Sequence, residues 1–100
     1  MKKIYFTITG TKYRYGHDFL KPRMTVRLVK EPKNQYDKEA IRVEMKNGLG
    51  HVGYVANSIY TVKGDCWSAG RLHDQIGKKA KGTVEIVLPD AVICRLNQKE

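Results

Sequence analysis

A chain of 100 residues has room for one domain and one thin core, and a hydrophobic content of 41% is enough to fold it and too high for a disordered segment. Nineteen Lys and Arg against ten Asp and Glu leave +9, and residues 1–30 carry eight basic residues against Asp18 alone, a net +7. Such a field draws phosphate backbones or an acidic partner, and no apolar run is long enough to span a bilayer as a helix.

The chain opens on Met1-Lys2-Lys3, as a signal peptide would, but Tyr5, Thr7 and Thr9 interrupt the apolar stretch and no small-residue cleavage site follows. The segment reads instead as a first strand of a cytoplasmic protein, with Ile4, Phe6 and Ile8 alternating inward. Gly10 ends it, and Thr11–Asp18 reads as an exposed loop that interleaves Lys12, Tyr13, Arg14 and Tyr15. Met24, Val26 and Leu28 mark a second strand that stops at Glu31-Pro32, because proline cannot donate to a ladder. Lys33–Glu39 is turn material, and Ile41, Val43 and Met45 form a third strand. Asn47-Gly48 suits a tight hairpin into a fourth strand over His51–Val55.

Beyond it, Asn57 or Ser58 could cap a short helix, and Ala69–Ile76 suits another turn or two ended by Gly77. Val84, Ile86 and Leu88, then Val92, Cys94 and Leu96, alternate on either side of Pro89-Asp90 as a second hairpin, and residues 97–100 read as a frayed end. In a reducing compartment Cys66 and Cys94 are expected as free thiols, with Cys94 a buried small hydrophobe. The whole is a single mainly-β domain over residues 1–100: an OB-like or SH3-like barrel of six strands with one or two short helices.

Enzyme chemistry has no foothold in the motifs. No Gly-rich phosphate loop, GxSxG or HExxH is present, and no His or Cys pair has zinc spacing. Glu39 and Glu44 read as solvated surface charges rather than ligands of a catalytic ion, so neither metal nor cofactor is expected. Cations interleaved with rings, as at Lys12–Tyr15, are how single-stranded nucleic acid is held: rings stack on bases and cations meet phosphates. Asn34-Gln35-Tyr36-Asp37 adds a second polar turn with one ring and one carboxylate, which by itself reads as a turn in which Asp37 caps its own backbone.

The two segments fall into one pattern. Gly10-x-x-Tyr13-x-x-Gly16 is followed by Val26–Pro32, by Asn34-x-Tyr36-Asp37-x-x-Ala40-Ile41-x-Val43 and by Val52-Gly53-Tyr54-Val55. Over roughly residues 4–58 this resembles the HIRAN domain, in the form of its short stand-alone bacterial or phage-type members, with the last forty or so residues matching only loosely. The resemblance implies an OB-like six-stranded barrel that holds the 3′ end of single-stranded DNA. In the best-understood relatives a first-loop basic residue and tyrosine fall on Lys12 and Tyr13, and a Tyr-Asp pair falls on Tyr36 and Asp37. The rings stack on terminal bases and the carboxylate accepts from the 3′-hydroxyl. Arg14 and Tyr54 complete the expected binding set.

The pattern departs in three places: Lys12 stands where Arg is frequent, Tyr54 where His is frequent, and Asn57 where a basic residue is expected, which lowers the phosphate contacts on that edge. The long relatives' helicase motor and RING zinc module have no counterpart here. Besides DNA, the partners that fit are RNA, an acidic protein docked on the basic face, or a separate motor or nuclease chain.

Overall fold

The computed structural model describes residues 3–13, 16–45 and 50–97; Arg14, Tyr15 and the Asn47-Gly48 hairpin lie outside the described residues. The elements are β1 (Tyr5–Thr9), a single 3-10 turn (Thr11–Tyr13), β2 (Thr25–Lys30), β3 (Ile41–Met45), β4 (Gly50–Val55), α1 (Ala69–His73), β5 (Lys79–Val87) and β6 (Val92–Leu96). The strands pair antiparallel in the order β1-β4-β3-β2-β5-β6, and β6 returns to β1 to close the barrel. The mainly-β six-stranded barrel read from the alternation is therefore the fold of the protein.

Period-two alternation supplies the interior. Phe6, Ile8, Val26, Leu28, Ile41, Val43, Val52, Val84, Val92 and Cys94 have no exposed surface, and burying an aliphatic or aromatic side chain of this size contributes about 1.5–3 kcal/mol. Burial also pushes the Cys94 thiol well above its ordinary pKa, and both Cys66 and Cys94 are free. β1 is buried on its outer face as well. Thr7 has no exposed surface; its hydroxyl accepts from Lys63 N at 3.2 Å, and its carbonyl accepts from Ala56 N at 2.8 Å.

Five expectations are corrected. Ile86 does not face the core: the register shifts between Val84 and Ile86, so Ile86 opposes the outward Ile93 and is 51% exposed. β5 begins at Lys79, because the residues before Val84 pair along β2, with Lys81 opposite Arg27. Asn57 and Ser58 start no helix; Ser58 closes one turn, its carbonyl accepting from Val62 N and its hydroxyl from Tyr60 N. Thr11 is buried, with its hydroxyl 2.8 Å from His17 Nδ1 and its carbonyl accepting from Gly16 N, so this loop folds back on itself. Ser68, which accepts from Arg71 N, caps α1, and the helix ends at Asp74 short of Ile76.

Gly53 sets where the first loop lies. A Cβ there would sit 2.8 Å from the Thr9 carbonyl oxygen and 2.9 Å from Ile8 Cγ2, so only glycine lets the end of β1 cross β4 this closely. Gly53→Ala should destabilise the fold by about 1–3 kcal/mol, the usual cost of overpacking a rigid contact, seen as a lower urea midpoint with an unchanged slope. An unchanged midpoint would mean that this close approach is not a constraint.

Candidate nucleic-acid interface

The turn from Glu31 to Ala40 joins β2 to β3 and is built on its own side chains. Glu31 N donates to Ala40 O at 2.9 Å and Ala40 N to Asp37 O at 3.1 Å. Asn34 Oδ1 accepts from Tyr36 N at 2.8 Å and Asp37 N at 3.0 Å, an Asx turn that leaves the Tyr36 ring 89% exposed. Asp37 Oδ1 in turn accepts from Glu39 N at 2.8 Å, so the residue caps its own backbone as its sequence setting suggests.

The second Asp37 oxygen serves another loop. Oδ2 accepts from Asn57 Nδ2 at 2.9 Å, and the same amide reaches Glu39 Oε1 at 3.3 Å. Asn57 Oδ1 accepts from Gly70 N at 2.8 Å, which orients the amide: its NH2 must face the two carboxylates. A neutral side chain thus stands where the family pattern expects a cation. It locks Asp37 to the exit of β4 and to the first turn of α1 without neutralising the carboxylate.

Beside this cluster, Glu31 anchors the turn to the barrel wall. Its carboxylate accepts from Asn34 Nδ2 at 2.9 Å, from the Tyr54 hydroxyl at 2.9 Å and from Arg42 Nη1 at 2.9 Å. Arg42 Nε also donates to Glu44 Oε2 at 2.7 Å, and Glu44 Oε1 lies 3.4 Å from Arg27 Nη2. Glu44 does face away from the core, but it is paired and only 19% exposed rather than solvated, so that expectation is corrected. Arg27 and Arg42 are correspondingly engaged with carboxylates and offer little unpaired charge to a phosphate.

The six expected binding residues are placed as follows. Lys12 is exposed in the 3-10 turn that follows β1, and Tyr13 ends that turn. Arg14 lies outside the described residues. Tyr54 is half-buried on β4, opposite Thr9 and Arg42, with its ring edge-on to His51 at 4.7 Å and its hydroxyl given to Glu31. The first loop crosses at Gly53, and Asp37 meets the chain at Asn57. Tyr54 is tied to the Tyr36 turn through Glu31, and the first loop touches β4 at Gly53, one residue before Tyr54.

Among the described basic residues of the first third, Lys30 is drawn away from the Tyr36 turn. Lys30 Nζ donates to Ile76 O at 2.8 Å, because the outward side of β2 is flanked by the segment leading into β5. The nearer cations are Lys33 and Lys38, both exposed on the Tyr36 turn; lysines flanking a Tyr-Asp pair are the signal that would have found them. Among the described residues no group of three or more His, Cys, Asp or Glu could hold a metal.

A closed antiparallel barrel with an exposed ring and an uncompensated carboxylate on its rim is a ligand-binding module in form. The HIRAN domain family model matches residues 1–86, well past the segment in which the sequence pattern is legible, and the chain belongs to the HIRAN domain family. The structure is similar to the crystal structure of the HIRAN domain of human HLTF, with a TM-score of 0.67 and 22% identity, covering 94% of this chain and 72% of that one. It is also similar to a protein from Lactobacillus plantarum, with a TM-score of 0.58 and 25% identity, covering 97% of this chain and 98% of that one. No curated protein sequence matches the chain. HIRAN domains are nucleic-acid-binding modules, generally non-catalytic on their own.

Glu31 gives the site an acid limit. Burial alone disfavours its charge, but the hydrogen bonds from Asn34, Tyr54 and Arg42, with the attraction of Arg42, outweigh it and hold the carboxyl below its ordinary value of 4.5. The folded form thus keeps the charge more readily than the unfolded chain. The stabilisation is complete above the unfolded value and is lost as pH falls through the folded one. Glu31→Gln should be less stable than wild type near neutrality and should lose less on acidification, as read by urea unfolding across the carboxylate range. Parallel acid limbs in the two proteins would remove Glu31 from this role.

Proposed function

We propose that this domain captures the free 3′-hydroxyl end of single-stranded DNA, with Tyr36 stacking on a terminal base and Asp37 accepting from the hydroxyl. The observation that carries this reading is the pairing of an almost fully exposed ring with an adjacent carboxylate that is held in place but not neutralised. Each Asp37 oxygen takes one hydrogen bond from within the protein, and a carboxylate offers about four acceptor sites, so both oxygens keep capacity for a ligand donor. A hydroxyl can donate there, whereas a phosphate brings only like charge. Lys12, Lys33 and Lys38 serve the phosphates behind the end, with Tyr13 and Arg14 contributed by the first loop and Tyr54 forming the wall. On this reading the chain is a binder, and the purified protein leaves DNA uncut and ATP unhydrolysed.

End chemistry tests the proposal. Wild type should prefer an oligonucleotide with a free 3′-hydroxyl to the same strand with a 3′-phosphate, and Asp37→Asn should shrink the preference. Tyr36→Ala should weaken both ligands alike, by roughly 1–3 kcal/mol if the ring stacks on a base. Equal binding of the two ends by folded wild type would remove the hydroxyl-acceptor role of Asp37. RNA of the same sequence, if bound more tightly than DNA, would change the assigned substrate.

Salt gives a second readout. Three lysines on phosphates, at about 0.7 log unit each for a single strand, predict a slope near −2 in a plot of log affinity against log salt. A flat response would leave the interface without its phosphate contacts and favour a protein partner.

A further inference from the structure

A second site lies away from the Asp37–Asn57 contact and shares no residue with it. β5 pairs with β2 from Lys79 onward but with β6 only from Gly82, and in the space beside this unmatched stretch is a cleft of about 870 Å³. That volume falls within the range of about 300–1,000 Å³ in which ligands are bound. Its floor is aliphatic, formed by the edges of Ile4, Ile76 and Leu96. Its rim is cationic, formed by Arg27, Lys79 and Lys81.

The rim charges are ordered by the sheet. Lys81 is the cross-strand partner of Arg27, and Lys79, two residues earlier, lies on the same face. Lys79 and Lys81 are exposed, and among the described residues no carboxylate pairs with either. Arg27 has its one long pair to Glu44, while its Nε is shielded from solvent with no acceptor. No acidic residue and no aromatic ring is among the described residues that line the cleft.

We infer that this cleft binds an acidic peptide segment carrying an aliphatic anchor, supplied by a partner protein. The anchor covers the Ile4–Ile76–Leu96 floor, and flanking carboxylates meet Lys79 and Lys81, the two rim cations without a carboxylate partner among the described residues. The lining favours peptide over nucleic acid because a single strand needs rings on which its bases stack, and the aliphatic floor supplies none. The inference does not depend on the end-binding proposal, since the two sites have no residue in common.

Fluorescence polarisation with labelled peptides alternating Asp or Glu with Leu tests it. Two control panels replace Leu by Ser, or the acids by Lys. Acidic–aliphatic peptides should bind and both controls should not. The double variant Lys79→Glu, Lys81→Glu, at exposed positions that leave the core intact, should lose about tenfold in peptide affinity or more while keeping wild-type oligonucleotide binding. Failure of every acidic–aliphatic peptide to bind, or equal binding by the charge-reversed variant, would overturn the inference. So would an oligonucleotide that displaces the peptide and itself binds the charge-reversed variant more weakly, which would make the cleft a nucleic-acid track. Loss of end preference at Asp37 with peptide binding intact would count against the end-binding proposal alone.

Discussion

The double pairing of β1 is the constraint on which the rest depends. This strand of five residues opposes β4 on one side and β6 on the other, so that Ile8 faces both Val55 and Val92 across its two ladders. Without it β4 and β6 would each carry an unpaired edge, a template for association with other chains. With it the barrel closes, Phe6 and Ile8 enter the core, and Thr7 is covered from outside by the Ala56–Lys63 segment. The same pairing delivers the first loop across Gly53, next to Tyr54.

From that placement the character of the interface follows. Much of its polar surface is already committed: Arg42 and Arg27 to Glu44, Arg42 and Tyr54 to Glu31, Asn34 to the Tyr36 turn. These bonds hold the turn in shape before a ligand arrives, which reduces the ordering cost of binding. What stays available is a ring and a carboxylate, with lysines at the margin. Ring and carboxylate sit on one turn, and the Asn57 amide, twenty residues further along the chain, ties that turn to the exit of β4. A basic residue in place of Asn57 would set a positive charge against Asp37, which the neutral amide does not.

Much of this fold was legible because period-two alternation is a direct record of which side of a strand is buried. The inward residues of β1, β3 and β6 fall where the pattern puts them. Ile86 misled because a bulge changes the phase without leaving a mark in composition. The start of β5 was hidden in a Lys-rich stretch, Lys78–Gly82, whose pairing along β2 is a property of the sheet and not of local propensity. At the candidate site the Tyr36-Asp37 turn could be located from its residues, but the partner of Asp37 could not. Asn57 is distant in sequence and shows only as a departure from a pattern until the fold brings it within 2.9 Å. Net charge was the weakest guide, since it counts Lys30 and Arg27 as free when a carbonyl and a carboxylate hold them.

On the proposed function the ligand meets the protein at the Tyr36 turn and the exit of β4, with the first loop alongside. Amide chemical shifts recorded during titration with a short single-stranded DNA bearing a free 3′-hydroxyl test it most directly. The account predicts perturbations concentrated at Lys12, Tyr36, Asp37, Asn57 and Gly70, with Lys79 and Lys81 unmoved. Perturbations centred on Lys79 and Lys81, with Asp37 and Asn57 unmoved, would contradict it.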